Sequence, residues 1–190
     1  MATDIASSVR RSALRPLASG EQPLLRQLHE DWVTHERAWR NPGFQAVAIN
    51  RFGNWRMRVR PLALRAPLSV LYRFLERRCV RSWGIELPYT VQLGRRTRID
   101  HQGAFVVNGW CRIGDDCILR HSTTLGLRHL DRPTEVPTVG NRVNIGVGAV
   151  ILGAVSIGDD VQVGANTVVL VDVPDGCTIV GNPARILPPR

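Results

Sequence analysis

The sequence predicts a mainly β fold, a left-handed parallel β-helix, with a small α-helical region before it. Three observations predict it. Aliphatic residues recur at every sixth position, at Leu87, Leu93 and Ile99, at Leu119 and Leu125, and without a slip at Val139, Ile145, Ile151, Ile157, Val163 and Val169. Glycine follows the aliphatic residue at Gly94, Gly114, Gly126, Gly140, Gly146, Gly158 and Gly164. Small or β-branched residues stand four places on, at Thr97, Thr123, Val143, Ala149, Val155, Val161, Thr167 and Val173.

A period of six is neither the helix nor the strand period. It suits a chain that bends after each short strand and returns to its direction after a few bends. The aliphatic residue points inward and fills the axis. Glycine tolerates the unusual φ of a bend at least cost. One coil cannot bury its own faces, so coils stack on a shared apolar core.

Taken in order, residues 1–22 read as a polar, flexible leader punctuated by arginine. Residues 23–82 read as helical. Leu24, Leu25, Leu28, Trp32 and Val33 space a helix from Pro23 to Trp39. Asn41-Pro42-Gly43 breaks it. Phe44, Val47, Ala48, Phe52 and Trp55 space a second helix. Pro61 to Pro67 reads as an interruption, and Leu68, Leu71, Tyr72, Leu75 and Val80 mark a third. Residues 83–174 form the β-helix, with two seven-residue steps carrying the inward positions through Val106 to Ile113. From Leu125 to Val139 is 14 residues where the period allows six, so eight leave the stack as a loop within 127–136. Loops on rigid repeat scaffolds carry recognition. Pro174 ends the stack, and 175–190 is a tail.

The 190 residues carry a net charge of +9, and every basic residue is arginine. That sign favours polyanionic partners: nucleic acid, an anionic membrane surface or a phosphorylated cofactor. Nine arginines and one acid, Glu76, lie between Arg51 and Arg81, which reads as a solvated helix face or as a peripheral membrane contact. No zinc pattern or aromatic interleaving points to nucleic acid. Cys79, Cys111, Cys117 and Cys177 form no C-x-x-C pair, as expected of free thiols in a reducing cytoplasm. No signal peptide and no apolar run of about 20 residues is present, so a cytoplasmic protein without a membrane span is expected.

The repeats, with the ending Val180-Gly-Asn-Pro-Ala-Arg185, resemble the hexapeptide-repeat acyltransferases. The segments Gly84-Ile-Glu-Leu-Pro-Tyr-Thr-Val-Gln-Leu-Gly94, Ile99-Asp-His101 and Thr123-Thr-Leu-Gly126 look like the serine O-acetyltransferase branch, and Pro42-Gly-Phe-Gln-Ala-Val-Ala-Ile-Asn-Arg51 is similar to its last N-terminal helices. The resemblance covers residues 30–187. Within the branch, Ala66-Pro-Leu-Ser-Val-Leu-Tyr72, Leu93-Gly-Arg-Arg96 and Gly126-Leu-Arg-x-x-Asp131 look like members encoded with exopolysaccharide biosynthesis. The resemblance implies acetyl-CoA as co-substrate, no metal, and a homotrimer binding the cofactor between adjacent β-helices. Some members pair trimers through a longer helical N-terminus.

The resemblance also assigns roles. Imidazole titrates near neutrality and is the natural base for a hydroxyl proton. His101 matches the family's catalytic base, and Glu86 stands where the family has an aspartate that orients the imidazole. A 15-residue offset puts the two on neighbouring coils. His121 should stack one coil beyond His101 and is a rival base, as is His129 in the loop. His29 and His35 read as surface residues of the first helix. Acetyl-CoA would meet Gly126, Gly146, Gly148, Gly164 and Ala165, with Arg142 and Arg185 as candidates for its phosphates.

Asp100, which in the family faces the serine amine, is kept. The family's Arg-His pair before the proline that restarts the repeats is replaced by Glu135 and Val136. A carboxylate there repels the carboxylate of free serine, although Arg128 or Arg132 could stand in for the missing arginine. Asp31 and Glu36 lie near, but not at, the position of a further aspartate of the family. The expected activity is O-acetylation of a sugar hydroxyl of an exopolysaccharide or envelope precursor. The alternatives are L-serine as acceptor and a non-catalytic β-helix that scaffolds enzymes or docks to membrane.

Overall fold

The period-six pattern closes into three parallel sheets that form the walls of a triangular prism, a left-handed β-helix of about five turns. It is seen in a computed structural model that describes residues 22–189, so the leader lies, but for Gln22, outside the described residues. The first wall holds β1 (Ile85–Glu86), β4 (Phe105–Val107), β7 (Thr124–Gly126), β10 (Val150–Leu152) and β13 (Val168–Val169). The second holds β2 (Gln92–Leu93), β5 (Arg112–Ile113), β8 (Thr138–Val139) and β11 (Ser156–Ile157). The third holds β3 (Arg98–Asp100), β6 (Ile118–Arg120), β9 (Asn144–Ile145), β12 (Gln162–Val163) and β14 (Thr178–Val180), closed by the antiparallel β15 (Arg185–Leu187). Pro174 therefore does not end the stack, because β14 still pairs in parallel with β12.

The inward positions fill the axis. Ile99, Ile113, Leu119, Leu125, Ile145, Ile151 and Ile157 are fully buried, each stabilising the fold by about 1.5–3 kcal/mol relative to exposure. The small-residue positions are buried as well, and Thr97 and Thr123 donate their hydroxyls to the carbonyls of Gly94 and Gly146. Cys111 and Cys117 line the same core as free thiols, and burial pushes both up to about 12.

One inward position differs from the expectation. Val106 faces out at 37% exposure, and its neighbours Phe105 and Val107 are the buried residues of β4. The extra residues of the first turn are thus not two separate steps. Ile85 pairs with Phe105, a 20-residue turn, whereas Thr138 pairs with Ser156 after 18. Both additional residues fall at one corner, between Asp100 and Phe105, beside His101.

Among the described residues, three helices close the open end of the prism. These are α1 (Leu24–Thr34), α2 (Pro42–Arg56) and α3 (Leu62–Trp83). The first stops short of Trp39 because Glu36 and Arg37 adopt positive φ. Asn41 caps α2, its Oδ1 accepting from the N–H groups of Gly43 and Phe44 at 2.8 and 3.2 Å. Pro42 takes the first helical position, where its missing N–H costs nothing. Gly43 must be glycine, since a Cβ there would stand 2.1 Å from the Ile99 carbonyl oxygen. Pro67 does not interrupt α3 but lies inside it, in a stretch whose exposed carbonyls can turn to water. Gly84 ends that helix in the left-handed conformation, φ 62°.

The helices are locked to the first turn by buried polar contacts. Arg51 is paired with Asp31 at 3.0 Å and donates to the carbonyls of Leu93 (2.6 Å) and Gly94 (2.5 Å). His35, expected at the surface, is fully buried. Its Nδ1 lies 2.7 Å from the Asp31 carbonyl, and its Nε2 lies 3.2 Å from the Ile99 amide nitrogen. A carbonyl only accepts and an amide N–H only donates, so His35 is neutral with its proton on Nδ1. Desolvation lowers its pKa accordingly, against the pull of the Asp31 carbonyl.

Candidate active site

The chain runs from first to second to third wall, so the prism has three edges, and the sequence-derived site residues divide among them. His101 follows β3 at the edge between the third and first walls. It is exposed and holds a left-handed backbone, φ 66°. Such a conformation is uncommon outside glycine, although histidine, asparagine and aspartate adopt it more readily than most residues. His121 stacks on it from the next turn. The ring centroids are 5.5 Å apart and nearly perpendicular. The His121 Nδ1 is buried and has no hydrogen-bond partner among the described residues.

The same edge continues upward through a ladder of backbone bonds. The His121 N–H donates to the Asp100 carbonyl, the Gly148 N–H to the His121 carbonyl, and the Asn166 N–H to the Val147 carbonyl. Gly146, Gly148, Gly164 and Ala165 therefore lie along the edge that begins at His101. Packing explains three of them. A Cβ on Gly146 would stand 2.6 Å from the Ala165 nitrogen, one on Gly164 2.8 Å from Val180, and one on Gly148 2.1 Å from Asn166.

Glu86 opens a 20-residue turn that closes where Val106 pairs with it, and His101 lies late in that same turn rather than on a successive coil. Glu86 is exposed on β1, alongside Val106, and no hydrogen bond joins it to His101 within the chain. Asp100 is held by Arg98, whose other arm reaches Glu36 at 2.8 Å. Asp31 and Glu36 are thus structural partners of Arg51 and Arg98.

The loop lies on a different edge, between the first and second walls. Arg128, His129, Arg132 and Glu135 line a groove there against Leu152, Gly153 and Val171. Arg132 is flanked by Glu135 at 3.5 Å and Asp131 at 3.8 Å, whereas Arg128 has no ion pair among the described residues. Gly126 opens the loop at this edge. A Cβ there would meet only Leu152 at 3.5 Å and Thr124 at 3.8 Å, so packing does not require the glycine. Within one chain, His101 and the loop are not brought together.

Arg142 is not brought to either place. It sits on the remaining edge, between the second and third walls, where Asp160 grips it with two bonds of 2.6 and 2.7 Å. That pairing uses its Nε and Nη2 and leaves the group half exposed. Arg185 is exposed on β15 at the last turn. The described residues hold no cluster of metal-ligating side chains.

Sequence reasoning missed His35 and Arg51 as the residues that seat β3, and through it Asp100 and His101. Arg51 could have been noticed, because it occupies an inward position, four after Val47, on an otherwise apolar stripe. His35 has no local signal, since its partner Ile99 is 64 residues away.

A β-helix of hexapeptide turns with an exposed histidine on one edge is the architecture of the acyltransferase class that the sequence resembles. No protein-family model matches the chain. The serine acetyltransferase of Helicobacter pylori strain 26695 is 38% identical over 146 residues, covering 77% of this chain and 81% of that protein. The Escherichia coli K12 protein WcaB, named for colanic acid biosynthesis as an acetyltransferase, is 41% identical over 121 residues, 64% of this chain and 72% of its own. Among solved structures, the soybean serine acetyltransferase apoenzyme superposes with a TM-score of 0.69 at 29% identity, covering 98% of this chain and 72% of that one. The chain belongs to the serine acetyltransferase family of hexapeptide-repeat acyltransferases.

Proposed function

We propose that the protein is an acetyl-CoA-dependent O-acetyltransferase acting on a sugar hydroxyl of an exopolysaccharide or envelope precursor. The observation that carries this reading is His101, exposed at the end of a glycine-lined edge with the His121 ring 5.5 Å away. The acceptor oxygen attacks the thioester carbonyl while His101 takes the hydroxyl proton. The C–S bond breaks, and the proton passes to the departing CoA thiolate. No acyl-enzyme is formed. Glu86 orients the imidazole and stabilises its protonated form once substrates close the site.

The cofactor runs along the edge at Gly146, Gly148, Gly164 and Ala165, with Arg185 toward its phosphates. Gly126, whose lost side chain no packing demands, supports a close approach by the same cofactor from another copy. A three-fold arrangement sets the His101 edge of one chain against the loop edge of its neighbour. The working unit is accordingly a homotrimer, with Asp100, Arg128 and His129 facing the acceptor. Free buried thiols and the family's use of acetyl-CoA support a cytoplasmic enzyme. No helix among the described residues is long and apolar enough to cross a membrane.

Two features favour a sugar over free serine. Glu135 and Val136 stand where serine enzymes carry an Arg-His pair, and Arg132 is already neutralised by Glu135 and Asp131. The relative named for colanic acid biosynthesis agrees. L-serine is the second reading, favoured by the 38% identity to a serine acetyltransferase across 81% of its length. A CoA-release assay with L-serine beside nucleotide sugars and oligosaccharides decides between them. Turnover with a saccharide and none with serine is expected. Turnover with serine alone overturns the sugar assignment.

A further inference from the structure

We infer that the outer face of α3 docks on an anionic phospholipid bilayer. The buried side of this helix is the line Tyr72 and Cys79, with Leu68 and Leu75 half-buried beside it. The opposite side carries Val70 and Phe74, 66% and 63% exposed, followed toward the C-terminus by Arg77 and Arg81. Arg73 and Arg78 flank this stripe, and Leu62 and Leu64 extend the apolar end. A groove runs between Val70, Phe74 and these arginines.

The charges on this face are uncompensated. Of the nine arginines from Arg51 to Arg81, two serve the fold. Arg51 is buried against Asp31, and Arg56 bonds Ser69 and stacks on Tyr72 and Tyr89 at 4.3 and 4.5 Å. The guanidinium groups of the other seven, at 58, 60, 65, 73, 77, 78 and 81, have no hydrogen bond or ion pair among the described residues. The one nearby acid, Glu76, accepts from the Tyr72 hydroxyl on the helix's inner side. The leader does not supply the missing charge, since residues 1–21 contain three arginines and two acids.

That pattern selects an occupant. A second copy meeting this face with its own would oppose arginine to arginine. An anionic bilayer offers a phosphate to each guanidinium and an acyl boundary to Val70, Leu71 and Phe74. Arginine stems also lie along apolar surface while their heads stay at the phosphate level. Docking here would hold the enzyme beside acceptors built on a membrane. This inference stands on the helix alone and does not depend on which acceptor is used.

The test is cosedimentation of the full chain with vesicles. Phosphatidylcholine alone is compared with phosphatidylcholine containing phosphatidylglycerol, near 0.1 M salt and at about 1 M, where screening shortens to about 3 Å. Binding only to the anionic vesicles, lost at high salt, is expected. The double variant Arg77→Gln with Arg81→Gln should weaken it about 30-fold, at roughly fivefold for each guanidinium near the surface. Phe74→Ser should weaken it about tenfold through lost insertion. Both variants keep exposed positions exposed, so wild-type thermal unfolding and CoA release serve as controls. Equal binding to both vesicles, or binding unchanged in the variants, overturns the inference. Duplex DNA bound as tightly as the anionic vesicles and indifferent to Phe74→Ser assigns the charge to nucleic acid instead. Self-association that persists at high salt and vanishes with Phe74→Ser assigns the face to a second copy.

Discussion

Replacing His101 by asparagine separates the chemistry of this residue from its backbone. His101 sits at φ 66°, where a Cβ crowds the carbonyl oxygen and most residues lose roughly 1–2 kcal/mol. Alanine would remove the imidazole and also add that strain, so a loss of activity could be blamed on either. Asparagine tolerates the left-handed region about as well as histidine and cannot act as a base at neutral pH. Loss of a general base lowers turnover by about 10²–10⁴-fold, which is roughly 3–5 kcal/mol of barrier. His101→Asn should show that loss in a CoA-release assay while its urea midpoint stays near wild type. His101→Ala should match it in turnover and unfold earlier, by about 1 kcal/mol. If His101→Asn retains turnover within about threefold of wild type, the assignment fails. If His121→Asn is then inactive, the base is His121, whose buried Nδ1 has no partner among the described residues.

Four further outcomes follow from the seating of the helices and the edges of the prism. Arg51→Leu leaves the buried Asp31 carboxylate alone and should cost about 3–5 kcal/mol in urea unfolding, part of it recovered by adding Asp31→Asn. His35 has a lowered pKa in the fold, so below about pH 6.5 the unfolded chain binds the proton first. Wild-type stability should be flat above that pH and fall below it, and His35→Gln should flatten the fall while weakening the fold at pH 8. Gly146→Ala should destabilise, since its Cβ meets the Ala165 nitrogen at 2.6 Å. Gly126→Ala, with its nearest neighbour at 3.5 Å, should unfold like wild type and raise KM for acetyl-CoA severalfold, read from initial rates.

What could be read from the sequence was what repeats. Inward positions from Val139 to Val169 recur at fixed spacing because each turn buries the same face, and every one of them is buried. The reading failed where the turn was irregular. Two extra residues at the His101 corner shifted the inward position of β4 from Val106 to Phe105 and Val107, and spacing alone does not say where an insertion falls. Pro67 looked like a break because proline disfavours helix interiors, yet the exposed carbonyls around it tolerate one lost bond. His35 was misplaced because its burial comes from a partner distant in the chain. That Arg142 stands on another edge and pairs with Asp160, one turn on, has no signal in the sequence.

The candidate site was legible as residues but not as one place. His101 and the loop both stood out, and resemblance put the cofactor between adjacent β-helices. Only the course of the chain around the prism shows that they occupy different edges.

The most direct measurement is complementation between two inactive variants. His101→Asn removes the base from one edge, and Gly126→Trp fills the other. Each alone should be inactive. If each site takes its base from one chain and its loop edge from the next, randomly mixed trimers of the two co-expressed variants should hold about one quarter of their sites intact. CoA release at about that fraction of wild type is the expected result. Mixed trimers with no activity above either parent would contradict a site shared between copies, and with it the account of how this β-helix works.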